Sequence, residues 1–145
     1  MKKFLVYLLL SLALPVAAEE PAKDDLTELY AKLGLVSPKV VKAGYTILHI
    51  EFDRLGAGGE FTLKRDLTTK FKYKIVGVGS PGITDLRLRL VDAKGKVEAS
   101  DPNQDSVAII NLTPKSAGLF TLKVGAAKLT GPRPYFFCLI ASKPK

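Results

Sequence analysis

Apolar and polar residues alternate along much of this chain, and short runs of turn-forming residues separate the alternating segments. In residues 85–90, for example, every second residue is leucine and the residues between are charged. Side chains of a β-strand alternate between two faces, so this pattern predicts strands with one face toward a core and one toward water. Segments of this kind lie at residues 47–52, 60–64, 70–75, 85–90, 96–100, 107–112, 119–124 and 135–141.

Short strands at near-regular spacing, with no helical pattern between them, are typical of an antiparallel β-sandwich or jelly roll. Parallel neighbours would need crossover connections, and the separators are too short for them. We therefore predict an all-β domain of about eight strands over residues 45–145. Segment 135–141 is apolar on both faces, which predicts a central strand. In segment 47–52 we assign Leu48, Ile50 and Phe52 to the core face and His49 to the opposite face.

One short helix is predicted ahead of the strands, in an acidic leader that spans residues 19–44. Its apolar residues share one face at helical spacing: Leu26, Leu29, Tyr30 and Leu33. Gly34 suits the left-handed position after a helix, and Pro38 opposes any continuation. The prediction is a helix over residues 24–34 that covers an edge or an end of the sandwich. A helix that binds a partner is the weaker alternative.

Residues 1–18 have the pattern of a secretory signal peptide, with Lys2 and Lys3, an apolar run over residues 4–14, and small residues before Glu19. The run is shorter than the roughly 20 apolar residues that a membrane span needs. We therefore expect cleavage, a secreted or periplasmic bacterial protein, and no membrane span afterwards.

Residues 31–145 hold 19 Lys and Arg against nine Asp and Glu, so the predicted sandwich is basic.

The chain has one histidine, His49, and one cysteine, Cys138. These counts exclude a disulfide within the chain and leave a histidine or thiolate metal site short of ligands. Residues 77–82 match the glycine spacing of dinucleotide-binding loops, but a strand pattern follows where such a loop requires a helix. No nucleophile, base and oxyanion donors stand out together, so we predict no enzymatic activity and no catalytic residue. A small secreted hydrolase is the weaker alternative.

Residues 67–141 resemble the bacterial pre-peptidase C-terminal domains, small secreted β-sandwich modules that often accompany exported peptidases. The resemblance rests on the order of segments 73–79, 84–92, 95–97, 99–101, 113–114, 117–124 and a last aromatic strand from Tyr135. It implies a secreted β-sandwich with a binding or structural role, and a peptidase accessory domain is one form of that role.

Calcium is the one cofactor that this resemblance implies, because carboxylate-rich loops of the group sometimes bind it. The candidate ligands are Asp85, Asp92, Asp101, Asn103 and Asp105. Arg87 stands where members of the group typically have a second aspartate. Ser106 and Leu112 stand where an EF-hand loop requires Gly and Glu, so an EF-hand is excluded.

Six basic residues occupy outward positions of the predicted strands: Lys64, Lys70, Lys72, Lys74, Arg87 and Arg89. If these strands pair, they form one cationic face that would attract lipopolysaccharide, acidic polysaccharide or nucleic acid, with strong salt dependence. The alternative is that the charges only keep solvent faces and edges from aggregating. The sequence thus predicts an exported, non-catalytic binding or structural module. Its partner is left open between an anionic cell-surface polymer and another exported protein.

Overall fold

The computed structural model describes residues 23–131 and 133–145, so the predicted signal peptide lies outside the described residues. The described part of the chain forms one helix and then eight strands. These are α1 Lys23–Lys42, β1 Thr46–Arg54, β2 Phe61–Leu67, β3 Phe71–Gly79, β4 Ile83–Val91, β5 Val97–Ser100, β6 Val107–Leu112, β7 Gly118–Leu129 and β8 Tyr135–Pro144.

The strands form two four-stranded antiparallel sheets that pack face to face. Sheet 1 has the order β1-β8-β3-β6, and sheet 2 has the order β2-β7-β4-β5. The core between them includes Leu86 and Leu88 of β4 and Phe136 and Ile140 of β8. The prediction of an antiparallel β-sandwich is therefore confirmed. Strand β8 lies between β1 and β3, and residues 136–142 are buried, which also confirms the predicted central strand.

A second apolar layer lies on the outer side of sheet 1, underneath helix α1. Val76 of β3 and Phe137 and Leu139 of β8 meet Leu29 and Val40 of the helix there. Alternate residues of β8 therefore enter the core between the sheets and the layer under the helix. This double burial explains why segment 135–141 is apolar on both faces.

Helix α1 is longer than predicted, because it passes through Gly34 and Pro38 and ends at Lys42. Val36 and Val40, from the added half, pack on the outer side of sheet 1. Burial of these side chains offsets the cost of an interior proline, about 3 kcal/mol. Pro38 has no N–H for the carbonyl of Gly34, but both residues are exposed, so water can reach that carbonyl.

The left-handed residue that ends the helix is Gly44, with φ +89°, and not Gly34. The Gly44 N–H donates to the carbonyl of Val41 at 2.9 Å, and the Tyr45 N–H donates to that of Val40 at 3.3 Å. This pair of hydrogen bonds is the Schellman arrangement, which satisfies the last carbonyls of a helix.

We expect Gly34→Ala to stabilise the protein by about 1 kcal/mol, because alanine is a better helix former than glycine. A Cβ at Gly34 meets nothing within 4 Å. Gly44→Ala is the matched control, and the same methyl group should destabilise the protein there because φ is +89°. Thermal denaturation of both variants measures the effects, and a stabilising Gly44→Ala would contradict the position of the helix end.

Strand β1 is an edge strand, and its two faces are opposite to our prediction. Leu48 and Ile50 are exposed, whereas His49 and Glu51 pair with β8 residues of the core between the sheets. Phe52 lies on the same outer side as Ile50, but the helix covers it. A bulge at Leu48 shifts the register. Charged residues that point inward on an edge strand protect the edge against association with another chain. Alternation in the sequence does not show whether the polar or the apolar side of a strand faces the core, so it could not reveal this arrangement.

Candidate functional site

The six predicted anion-binding residues do not share one face, because β3 and β4 belong to different sheets. The outer side of sheet 1 carries Lys70, Lys72 and Lys74, and the outer side of sheet 2 carries Lys64, Arg87 and Arg89. The prediction of a single cationic sheet face is therefore wrong, and the structure has two basic surfaces on opposite sides of the sandwich. Alternation shows which side of a strand a residue occupies, but not which sheet receives the strand.

On sheet 1 the basic surface includes two lysines that the sequence did not single out. Lys143 of β8 pairs directly with Lys72 of β3. Lys145 follows β8, and its N–H donates to the carbonyl of Lys70 at 3.2 Å. We call this surface the lysine face and define it as Lys70, Lys72, Lys74, Lys143 and Lys145.

The partners of the lysine face are neutral groups. Lys74 Nζ donates to Asn111 Oδ1 at 2.9 Å, and Lys143 Nζ donates to the carbonyl of Ala43 at 3.3 Å. Both ammonium groups also lie over the ring of Tyr45, at 5.4 and 4.6 Å from its centroid. Among the described residues, no carboxylate lies within 4.0 Å of any lysine of this face. The described residues therefore give the lysines of this face no ion-pair partner.

On sheet 2, basic residues other than Lys64 line an open groove of about 630 Å³. Arg87 and Arg89 of β4 and Lys123 of β7 are among its lining residues, with Glu60 at one side. Small residues of β7 add little bulk to the groove, and the loop after β5 contributes Asn103.

The cations of the groove are paired with carboxylates, in contrast to the lysine face. Arg89 Nη2 lies 3.1 Å from Glu60 Oε2, and Lys123 Nζ lies 3.8 Å from Glu60 Oε1. Arg87 Nη2 lies 3.2 Å from Asp85 Oδ2. These ion pairs offset much of the positive charge in the groove.

No family model matches this chain, and no curated protein does. A solved structure does match: the pre-peptidase C-terminal domain of collagenase from Bacillus anthracis, with a TM-score of 0.51. The chain has the fold of a pre-peptidase C-terminal domain. The match covers 63% of this chain and 87% of the collagenase domain at 11% sequence identity, so the likeness is one of fold. The resemblance of residues 67–141 is thereby confirmed at that level.

Of the calcium ligands that the pre-peptidase C-terminal domain resemblance suggested, Asp92 lies apart from Asp85. Asp92 follows β4 and Asp85 lies near its start, so they are about 23 Å apart along an extended strand. Asp92 Oδ1 accepts the N–H groups of Lys94 and Lys96, both at 2.9 Å. The hydrogen bond from the Lys96 backbone is the main cause that holds the pKa of Asp92 below its ordinary value.

The loop with the other three candidates lies beside Asp85, because the Leu86 N–H donates to the carbonyl of Asp105 at 2.8 Å. Asp85 faces the Arg87 guanidinium, Asp101 Oδ1 accepts the Asn103 backbone N–H at 3.3 Å, and Asp105 Oδ1 accepts the N–H of Ser106 at 2.6 Å. In the described ranges, no group of three or more His, Cys, Asp and Glu could hold a metal ion. Asp85 Oδ1 and Asp101 Oδ2 are buried and have no hydrogen-bond partner among the described residues, so calcium binding by these residues stays a prediction.

His49 and Cys138 both lie on the inner side of sheet 1 in this pre-peptidase C-terminal domain fold. His49 Nε2 lies 2.8 Å from Glu51 Oε2, and the Cys138 thiol is free and fully buried. An intermolecular disulfide is therefore out of reach for Cys138 in the folded chain.

Among the described residues, no helix is long and apolar enough to cross a membrane.

Proposed function

We propose that this protein is an exported, non-catalytic binding module that holds an anionic polymer on its lysine face. One observation carries the proposal: five lysines share the outer side of sheet 1, and no described carboxylate lies within 4.0 Å of them. An unneutralised cluster of this kind attracts polyanions, and the attraction weakens as salt increases. Lysine ammonium groups on flexible stems suit repeated charges better than a single defined small molecule.

Lipopolysaccharide, acidic polysaccharide and nucleic acid share the chemistry that the lysine face would recognise, which is a chain of closely spaced anionic groups. The signal-peptide pattern of residues 1–18 supports export. The likeness of fold to pre-peptidase C-terminal domains, which are accessory modules, supports a non-catalytic role. A hydrolase activity of the protein that is lost in His49→Ala would contradict that role.

The test compares charge reversal on the two sides of the sandwich. We expect Lys72→Glu with Lys143→Glu to remove most retention on beads of a sulfated polysaccharide and to shift elution to a salt concentration at least about twofold lower. Arg87→Glu with Arg89→Glu changes the charge by the same amount in the groove. We expect a much smaller shift there, because Asp85 and Glu60 already neutralise those guanidinium groups.

Salt-gradient elution of both double variants, with circular dichroism to confirm folding, decides between the surfaces. If the arginine pair and not the lysine pair controls retention, the polyanion binds in the groove and the proposal is wrong. Retention of the wild type that does not respond to salt would also contradict it.

A further inference from the structure

The outer side of helix α1 carries a group of exposed apolar residues beside its polar ones, which include Thr27, Glu28, Lys39 and Lys42. Leu29, Leu33, Val36 and Val40 face sheet 1. The exposed residues on the helix include Ala31, Gly34, Leu35, Pro38 and Val41, which we call the apolar stripe. Leu35 is 66% exposed and Val41 is 57% exposed. Neighbouring exposed apolar residues on a domain surface often mark an interaction site, so the stripe points to a partner.

The charges around the C-terminal half of the apolar stripe are positive, whereas at its N-terminal end Glu28 pairs with Lys32 at 2.9 Å. From Ala31 to Lys42 the helix has no acidic residue, and Lys39 and Lys42 lie in its last turn. The lysine face adjoins this end of the helix, because Lys143 Nζ donates to the carbonyl of Ala43. Exposed apolar side chains and lysines without a described carboxylate partner are therefore found on the same side of the molecule.

We infer that α1 and the lysine face together dock this protein on an anionic membrane surface. This inference rests on the proposed function, since the same five lysines supply the attraction. The stripe enters the boundary between headgroups and acyl chains, as the apolar face of an interfacial helix does, and the lysines lie at the level of the anionic headgroups. A soluble polyanion explains the lysines but leaves Leu35 and Val41 without a role, which favours a lipid surface.

Vesicle flotation of the full mature chain tests the inference. We expect the protein to float with vesicles of phosphatidylcholine and phosphatidylglycerol, and not with vesicles of phosphatidylcholine alone. Leu35→Ser with Val41→Ser should weaken vesicle binding roughly tenfold, because less apolar surface leaves water. The same variant should keep wild-type retention on sulfated polysaccharide beads. Leu119→Ser is the matched control, since this exposed leucine lies on β7 in the other sheet, and it should change neither measurement.

A second measurement detects insertion directly. The chain has no tryptophan, so Leu35→Trp gives a single reporter whose emission should shift to the blue on anionic vesicles and be quenched by brominated lipid. Unchanged vesicle binding by the stripe variant, or no blue shift, would overturn the membrane inference and leave binding by charge alone. If the wild type shows salt-sensitive retention on the beads but does not bind vesicles, only the membrane inference is overturned. If the wild type binds neither beads nor vesicles, the proposed function is overturned as well.

Discussion

Phe136→Ala should lower the free energy of unfolding by about 3–5 kcal/mol. The ring of Phe136 is fully buried on the central strand β8. It meets the ring of Phe61 edge-on, with the centroids 5.5 Å apart. Because Phe61 belongs to sheet 2, this contact joins the two sheets, and truncation leaves a cavity between them. A domain of this size is stable by about 5–15 kcal/mol, so the loss is a large part of the total.

Urea denaturation followed by circular dichroism measures this loss. Val107→Ala is the control, because Val107 is a partly exposed residue of the edge strand β6, and its change should stay within about 0.5 kcal/mol. A loss below about 1 kcal/mol for Phe136→Ala would show that the sheets do not depend on this contact. A change in the urea dependence of unfolding, without a change in midpoint, would point to the denatured state instead.

The two basic surfaces show why local charge is a poor guide to binding. Arg89 and Lys72 both alternate with core residues along a strand, and the sequence gives no reason to separate them. In the structure, Glu60 neutralises Arg89 at 3.1 Å, whereas Lys72 lies beside another lysine, Lys143. Affinity for a polyanion depends on the charge that remains after such pairing, and that quantity is set by tertiary contacts.

The strands could be predicted because their signal is local. Alternation over five or six residues places β3, β4 and β6 correctly, and the double burial of β8 follows from its apolar run. The end of helix α1 could not be predicted in the same way. Gly34 and Pro38 are local stop signals, but the burial of Val36 and Val40 on sheet 1 depends on strands that come later in the chain.

The candidate site could be predicted only in part, for the same physical reason. Lys70, Lys72 and Lys74 are recognisable as outward residues of one strand. Their neighbours Lys143 and Lys145 are about seventy residues away in the sequence, and only the pairing of β3 with β8 brings them together. The separation of Arg87 and Arg89 onto the opposite side depends on the passage of the chain from sheet 1 to sheet 2 after β3. A short window of sequence shows neither the pairing of β3 with β8 nor the passage of the chain between the sheets.

Cys138 should be almost inert toward thiol reagents while the protein is folded. The pKa of the Cys138 thiol is raised from 9.0 to about 12, mainly by burial and also by the nearby Glu51 carboxylate, while Arg65 acts in the opposite direction. The thiolate is the reactive form, so at pH 8 its population in the folded chain is roughly a thousandfold smaller than in the unfolded chain. Iodoacetamide labelling followed by mass spectrometry should therefore be at least about a thousandfold slower in buffer than in urea.

The same shift in pKa makes the stability of the protein depend on pH at the alkaline end. The unfolded chain releases the Cys138 proton near pH 9, whereas the folded chain keeps it to about pH 12. The stabilisation from the buried thiol is therefore complete below about pH 9 and is lost as the pH rises through about 12. Cys138→Ala removes this proton but leaves the lysine and tyrosine titrations in place. The wild type should thus lose stability more steeply than the variant between these two pH values, and parallel curves would show that the thiol ionises as easily in the fold as in the unfolded chain.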